Sequence, residues 1–530
     1  MFAKGFSLKV GFSGSTEKKG SAFVASRTKK VYYNIVSEGV YQATVFICGL
    51  ILPRYVLKFY GSEYNGIISS ITQFLQFISI LRMGVAGATR VELYKSLGTG
   101  DKYKTSGIMK ATQQFMRRIA FVLCAYILVL MFIIPLVSHS KYSWTEIASL
   151  VVIIGMVTFA EYFFGITNST LLDSDQRTYV YVWVKTAATI LNVLIAVFLI
   201  LHGASIQVMK LASAVVFMAC PIFLHFYVKH QYKLDETVEP DTTALDKRRD
   251  VMASSIANII HNDTDVIVLT LLTNPMVVSV YSVYQMVMNG LKKIMTVFTN
   301  GLEAYFGNMW VRKETENLYK GLSRFEYFIS VFISVLFSST LVLILPFVAL
   351  YTKGVNDINY YIPVYAVLVV AAQAIFCFRQ PYLTLVQAAG HYRETKRGAY
   401  MEAGINIVLS VALTFKFGIV GVVIGTLAAN LFRSMQYSYY ISKHLLPRPF
   451  ISVLLRLGWT VANVLISAGI ATAVYKCVAI DFKSWTEWIV GGIIIAFIST
   501  VVCAISSSLF YKDDYKWMIS KLAGFVRRKK

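Results

Sequence analysis

The chain has 530 residues, of which 56% are hydrophobic and only 15% charged, with a formal net charge of +23. Soluble domains carry about 25% charged residues, so this composition excludes an ordinary soluble globular protein. Six scattered cysteines (Cys48, Cys124, Cys220, Cys377, Cys477 and Cys503) form neither a CxxC pair nor a metal-ligand spacing, so no disulfide framework or metal site is expected.

Residues 1–30 hold seven Lys or Arg, from Lys4 to Lys30, against one acid, Glu17. They lack the apolar core of about 7–15 residues that a cleavable signal peptide needs. A basic cytoplasmic arm is expected, in which Phe2, Phe6, Leu8, Val10 and Phe12 could form a short membrane-surface helix.

Apolar windows of about 20 residues, the length of a helix crossing a hydrocarbon core, recur from there onward. Fourteen spans are predicted, at about 31–57, 66–92, 115–137, 145–167, 179–201, 207–228, 251–272, 278–303, 325–351, 358–386, 399–415, 419–441, 450–475 and 485–511. Strands of a membrane barrel would alternate over about ten residues, whereas these runs are continuous. The expected fold class is an all-α integral membrane protein. Residues 31–230 form a first six-helix lobe, 231–250 a cytoplasmic linker with the mixed-charge run DETVEPDTTALDKRRD, and 251–443 a second lobe. A helix pair at 450–511 and a basic tail at 512–530 complete the chain.

Basic residues follow topology. With the N-terminus inside, the inner segments hold about 35 Lys and Arg. The outer loops hold about six: Lys58, Lys141, Lys353, Lys416, Lys476 and Lys483. That bias predicts a plasma-membrane protein with both termini cytoplasmic. It also assigns the high net charge to anionic lipid rather than to nucleic acid.

Two stretches repeat at an offset of about 213 residues. Val56 to Ser70 (VLKFYGSEYNGIISS) parallels Val268 to Ser282 (VLTLLTNPMVVSVYS), and Asn192 with Gly203 parallels Asn406 with Gly418. Internal duplication is how many secondary transporters are built, with pseudo-symmetric lobes around a central site. Every outer connection is short, which leaves no folded outer segment to hold the acceptor and catalytic groups of a glycan polymerase or ligase. No G-x-x-x-x-G-K-[ST] loop occurs either, so neither ATP nor another cofactor is expected. Transport is favoured over catalysis.

The run GSEYNG (Gly61 to Gly66) after Arg54, then LRMGVAGATRVELYKSL (Leu81 to Leu97), resembles the opening of bacterial polysaccharide flippases. These are the Wzx-type members of the multidrug/oligosaccharidyl-lipid/polysaccharide exporter superfamily. NDTDVIVLTLL (Asn262 to Leu272), VYSVYQMVMN (Val280 to Asn289) and FGNMW (Phe306 to Trp310) continue the resemblance. FRQPYLTLVQAAGHYRETKR (Phe378 to Arg397), EAGINIVLSVAL (Glu402 to Leu413) and GIVGVVIGT (Gly418 to Thr426) complete it, over most of residues 31–443. One departure is Arg82, where relatives tend to carry an acid. The resemblance implies twelve core helices in two lobes. It also implies transfer of an undecaprenyl-pyrophosphate-linked glycan from the inner to the outer leaflet by alternating access. Membrane lipids, a glycan polymerase and glycosyltransferases are the partners it suggests.

A pyrophosphate-linked head group needs a cationic path, and a charge within a span costs roughly 2.5–3.5 kcal/mol on insertion scales. Lys292 and Lys293 fall about fifteen residues into the eighth span, roughly 22 Å along a helix. Arg54 and Arg379 lie nearer span ends and can hold a diphosphate in a bidentate fork. Arg433, Lys185, Arg82 and Arg90 are further in-span cations for which snorkelling to head groups is the simpler use. Asp265 and His261 share one face of the seventh span, with Asp263 on roughly the opposite one. Such an acid can bind a proton or Na⁺ for energy coupling, or can pair structurally with Lys292 or Lys293. Glu38 and Glu161 are weaker candidates of the same type.

Tyr60, Tyr64, Trp144, Tyr360 and Trp485 suit interfacial belts, and Gly421 and Gly425 a close helix contact. A multidrug or small-cation exporter of the same superfamily is the alternative function, one that would not need in-span Arg and Lys. A membrane glycan polymerase or ligase is the enzymatic alternative.

Overall fold

The computed structural model describes residues 16–527 apart from 83, 236, 244–263, 300–301 and 479–481. Every regular element among the described residues is helical. Eleven described helices are long and apolar enough to cross a membrane, so the chain is a multi-pass membrane protein. They are the expected spans one, three to six and nine to fourteen, running from Lys30–Tyr60 to Trp485–Phe510.

The other three expected spans are not among these eleven. The second is not one helix: it is divided into Ser62–Gln76, Ser79–Arg82 and Val85–Thr99, and Gly84 adopts a left-handed conformation (φ 78°) before the last piece. Of the seventh, residues 264–272 are helical and the remainder lies outside the described residues. The eighth, Pro275–Thr299, is a continuous helix but less apolar, because it carries Asn289, Lys292 and Lys293.

Two compact units emerge. Unit 1 comprises the described residues of Met1–Leu52, Leu81–Val129 and Val152–Met252. Within it the helices Thr178–Leu201 and Ile206–Tyr232 pack as a hairpin. Val85–Thr99 packs against Ile166–Ser174 over a core of Leu93, Ile108, Leu171, Leu172 and Leu224. Lys30 and Arg177 converge on Asp175 at 3.0 and 2.8 Å, and Arg90 pairs with Asp173 at 3.2 Å.

Unit 2 gathers Pro53–Ile80, Leu130–Val151 and the described residues of Ala253–Lys530. Its helices Tyr392–Phe417 and Ile419–Tyr440 form a tight hairpin. A Cβ on Gly425 would lie 2.4 Å from Ser410 Oγ, and one on Gly421 would lie 2.3 Å from the Leu413 backbone. Small residues of this kind let helix backbones approach where lipid supplies no hydrophobic drive. The terminal pair Ile451–Val478 and Trp485–Phe510 packs on the long helix Thr315–Tyr351. Buried Glu326 anchors this group by accepting a two-toothed contact from Arg448 and a second ion pair from Arg456 at 3.4 Å. Arg456 also reaches Asp514, at 3.6 Å, which docks the helix Lys512–Arg527.

The two copies of the first repeat meet inside unit 2. Asn65 Nδ2 donates to Ser279 Oγ at 2.8 Å and to Ser282 Oγ at 3.0 Å, and the hydroxyls of Ser70 and Thr270 lie 2.7 Å apart. As numbers rise along the first copy they fall along the second, the pattern of an isologous contact about a two-fold axis. Gly66 stands at its closest point, where a Cβ would lie 1.7 Å from the Pro275 carbonyl oxygen.

Gly66→Ala therefore cannot be accommodated without separating the two helices. Overpacking of this kind costs about 1–3 kcal/mol. The expected result is a lowered Tm in detergent, while Gly404→Ala, which meets nothing within 4 Å, leaves the Tm unchanged.

Candidate functional site

The GSEYNG run commits every one of its residues. Gly61 takes φ 88°, which only glycine tolerates well, and turns the chain from the first helix into Ser62–Gln76. That turn leaves the Ser62 N–H free of its own helix, and it donates to Asp357 Oδ2 at 2.7 Å while the Ser62 hydroxyl donates to Oδ1 at 2.5 Å. A carboxylate from 295 positions away thus caps the helix and opposes its dipole. Buried Glu63 accepts from the Ser140 hydroxyl at 2.5 Å and the Lys141 amide at 2.8 Å. Tyr64 stacks on Tyr142 at 3.9 Å, and Tyr360 joins Ser62 (2.6 Å) to Ser279 (2.8 Å). Tyr64 and Tyr360 are buried members of this node rather than an interfacial belt, because their hydroxyls find partners inside the protein.

Arg54 lies beside the node. Its Nη1 donates to the carbonyls of Leu350 (2.8 Å) and Tyr351 (2.5 Å), the open C-terminal end of Thr315–Tyr351. A cation there complements the helix dipole.

A second group is cationic. Arg379, in the break between Pro363–Phe378 and Gln380–Ala388, is 6% exposed and pairs with Glu402 at 2.5 Å. Arg433, also buried, reaches the other Glu402 oxygen at 3.3 Å, donates to the Thr395 carbonyl and lies 3.9 Å from the Tyr437 ring centroid. Gly398 makes room for it, since a Cβ there would stand 2.4 Å from Arg433 Nη1. Lys292 Nζ and the Arg379 guanidinium both approach the Phe376 ring, at 4.5 and 4.4 Å. Two arginines thus share one carboxylate, and Lys292 shares the Phe376 ring with the first of them. Lys293, next to Lys292, is exposed. Of the four expected head-group ligands, Lys292 and Arg379 come together, whereas Arg54 caps a different helix.

The third group centres on Asp265, only 6% exposed. Its Oδ2 accepts from Thr426 Oγ1 at 2.9 Å and from Tyr281 Oη at 3.2 Å. Asn406 Nδ2 donates to the same Thr426 oxygen at 3.1 Å, and Ser410 Oγ donates to the Val422 carbonyl at 3.2 Å. Asp265 Oδ1 and Asn406 Oδ1 are buried without a hydrogen-bond partner. Among the described residues no Lys or Arg pairs with Asp265. Among the described residues, hydroxyls and the Asn406 amide rather than a cation surround this buried carboxylate. That arrangement suits a proton or an alkali ion, whose charge removes the cost of an uncompensated acid. His261 and Asp263, its expected companions, lie outside the described residues.

Glu402, Asn406 and Thr426 were not singled out as site residues by sequence reasoning. The signal was there: Glu402, Asn406 and Ser410 are spaced by four, one polar stripe along an apolar helix.

No family model matches the chain, and no curated protein does. Solved structures do. The lipid II flippase MurJ in an inward closed conformation aligns with a TM-score of 0.65 at 14% identity, over 90% of this chain and 99% of that one. An inward-facing multidrug resistance MATE family transporter of the MOP superfamily aligns at 0.54 and 13% identity, over 81% of this chain and 98% of that one. The Vibrio cholerae MATE transporter VcmN aligns at 0.51 and 12% identity, over 79% and 98%. With its helical architecture and these likenesses, the chain has the fold that the MurJ lipid flippase and the MATE transporters share.

Proposed function

We propose that this protein is a flippase that carries a polyprenyl-pyrophosphate-linked oligosaccharide from the inner to the outer leaflet of the cytoplasmic membrane, by alternating access, for surface polysaccharide assembly. The observation that carries the reading is the cationic group in which Arg379 and Arg433 bind Glu402 and Lys292 shares the Phe376 ring with Arg379. It places three positive side chains within spans, where each charge is costly. A small-cation exporter would be hindered by such a site, whereas a diphosphate is attracted to it. Lys292 and Lys293 offer mobile ammonium donors, and Arg379, held by Glu402, fixes the local geometry. The polyprenyl tail can remain in lipid.

Asp265 with Asn406 and Thr426 is the proposed coupling site, and its role depends on exchange of a proton or Na⁺. Both termini are assigned to the cytoplasm from the Lys and Arg bias, with a polymerase and glycosyltransferases as the activities that would act beside it.

Lys292→Gln removes one charge without disturbing the Arg379–Glu402 pair. A lost charge-assisted hydrogen bond is worth about 1.5–3 kcal/mol, roughly ten- to a hundredfold in affinity. Transport of lipid-linked oligosaccharide in proteoliposomes is expected to fall by that order with the Tm unchanged, and Lys292→Arg to retain most of it. Undiminished transport in Lys292→Gln argues against an anionic ligand at this group.

Asp265→Asn keeps size and hydrogen bonding but cannot take up a proton or balance a cation. Folded protein and substrate binding are expected to survive while gradient-driven transport is abolished. Measurement under imposed proton or Na⁺ gradients checks this, and unchanged gradient-driven transport eliminates Asp265 as the coupling residue.

A further inference from the structure

Unit 1 contains a cavity of about 170 Å³ that the transport reading does not use. Its wall is made by Tyr41, Glu161, Tyr181, Lys185, Phe217 and Pro221, contributed by four separate stretches of helix. We propose that this cavity is an ammonium-binding site whose resident cation is the chain's own Lys185.

Two helices depart from regular geometry at this point. Glu161–Gly165 forms a π-helical turn within the fourth span, an irregularity found mostly at functional positions. Opposite it, Pro221 lies inside the continuous helix Ile206–Tyr232. Proline has no N–H, so the carbonyl of Phe217, one turn earlier, has no α-helical partner. The two irregularities seat against each other, since a Cβ on Gly165 would lie 3.1 Å from the Pro221 Cβ. The slipped register of the π turn presents Glu161 to the cavity.

Lys185 enters from Thr178–Leu201. Its Nζ lies 3.8 Å from Glu161 Oε1 and 5.6 Å from the Tyr181 ring centroid. A carboxylate and an aromatic face are groups that recognise an alkylammonium ion. The Glu161 and Lys185 side chains keep 52% and 43% of their surface accessible. A pair held this loosely does not by itself account for a π-helical turn. The geometry instead fits a cation site that the protein fills from within. Unit 2 leaves Asp265 without a Lys or Arg among the described residues, so the two units treat their in-span acids differently: one tethers its counter-ion and the other does not.

Removal of the tether should leave a site for a soluble primary amine. Full-length Lys185→Ala protein, purified in detergent, is melted with ethylammonium chloride, and with sodium chloride or tetramethylammonium chloride at equal ionic strength. Ethylammonium alone is expected to raise its Tm by roughly 2–4 °C. The wild type, whose site is filled, should not respond, and a Glu161→Gln/Lys185→Ala double variant should lose the response. Folded Lys185→Ala protein without an ethylammonium-specific shift overturns the proposal, as does an equal shift in the wild type or the double variant. If Lys185→Ala does not fold, Glu161→Gln decides through acetic anhydride labelling of Lys185 read by mass spectrometry. Several-fold faster labelling than in the wild type supports the pairing, and an unchanged rate overturns it.

Discussion

The close approach of Gly66 to Pro275 is the constraint on which unit 2 depends. A backbone carbonyl occupies the place where any other residue would begin its side chain, so the two repeat copies pack at backbone distance. Around that point a short polar run spends each side chain on a different stretch of chain: Asp357, Ser140 with Lys141, Tyr142, and Ser279 with Ser282. Within a membrane such polar contacts give about 0.6–2 kcal/mol each, which makes a set of them, rather than any one, the source of specificity. Segments expected on the outer side of the membrane are brought together there, and this explains why Pro53–Ile80 and Leu130–Val151 group with the C-terminal part of the chain.

Two buried carboxylates inside the spans are each held by a pair of arginines. Glu326 is matched by Arg448 and Arg456, and Glu402 by Arg379 and Arg433. Removing one partner of such a buried pair costs roughly 3–5 kcal/mol, so these groups fix helix positions. Two further groups lie within spans: Lys292 and Arg379 on the Phe376 ring, and the Asp265 carboxylate, which accepts from the hydroxyls of Tyr281 and Thr426.

Irregular spans and candidate chemistry coincide. The second span is divided by Gly84 and carries the GSEYNG run, and the eighth carries Lys292 and Lys293. The tenth is interrupted at Arg379. Non-helical backbone and in-span charge are tolerated where protein or water, not lipid, surrounds them. The apolar spans three, five, thirteen and fourteen supply the framework.

The sequence by itself determined the all-α membrane class and located eleven of the spans, because a continuous apolar run of about 20 residues has one stable form in lipid; it did not set their ends, since Lys102–Val137 and Thr315–Tyr351 begin well before the predicted 115 and 325. It also marked Lys292, Arg379 and Asp265 as in-span charges. Their partners were decided only in three dimensions. Arg379 and Arg54 look alike in sequence, each an arginine near a span end, yet one is locked to Glu402 and the other caps the carbonyls of Leu350 and Tyr351. Tyr360 reads as a belt tyrosine until the fold brings Ser62 and Ser279 to its hydroxyl. Periodicity reports which face of a helix is apolar, but a pairing across about 300 positions depends on how backbones approach, and here glycines such as Gly66, Gly398 and Gly425 set that distance.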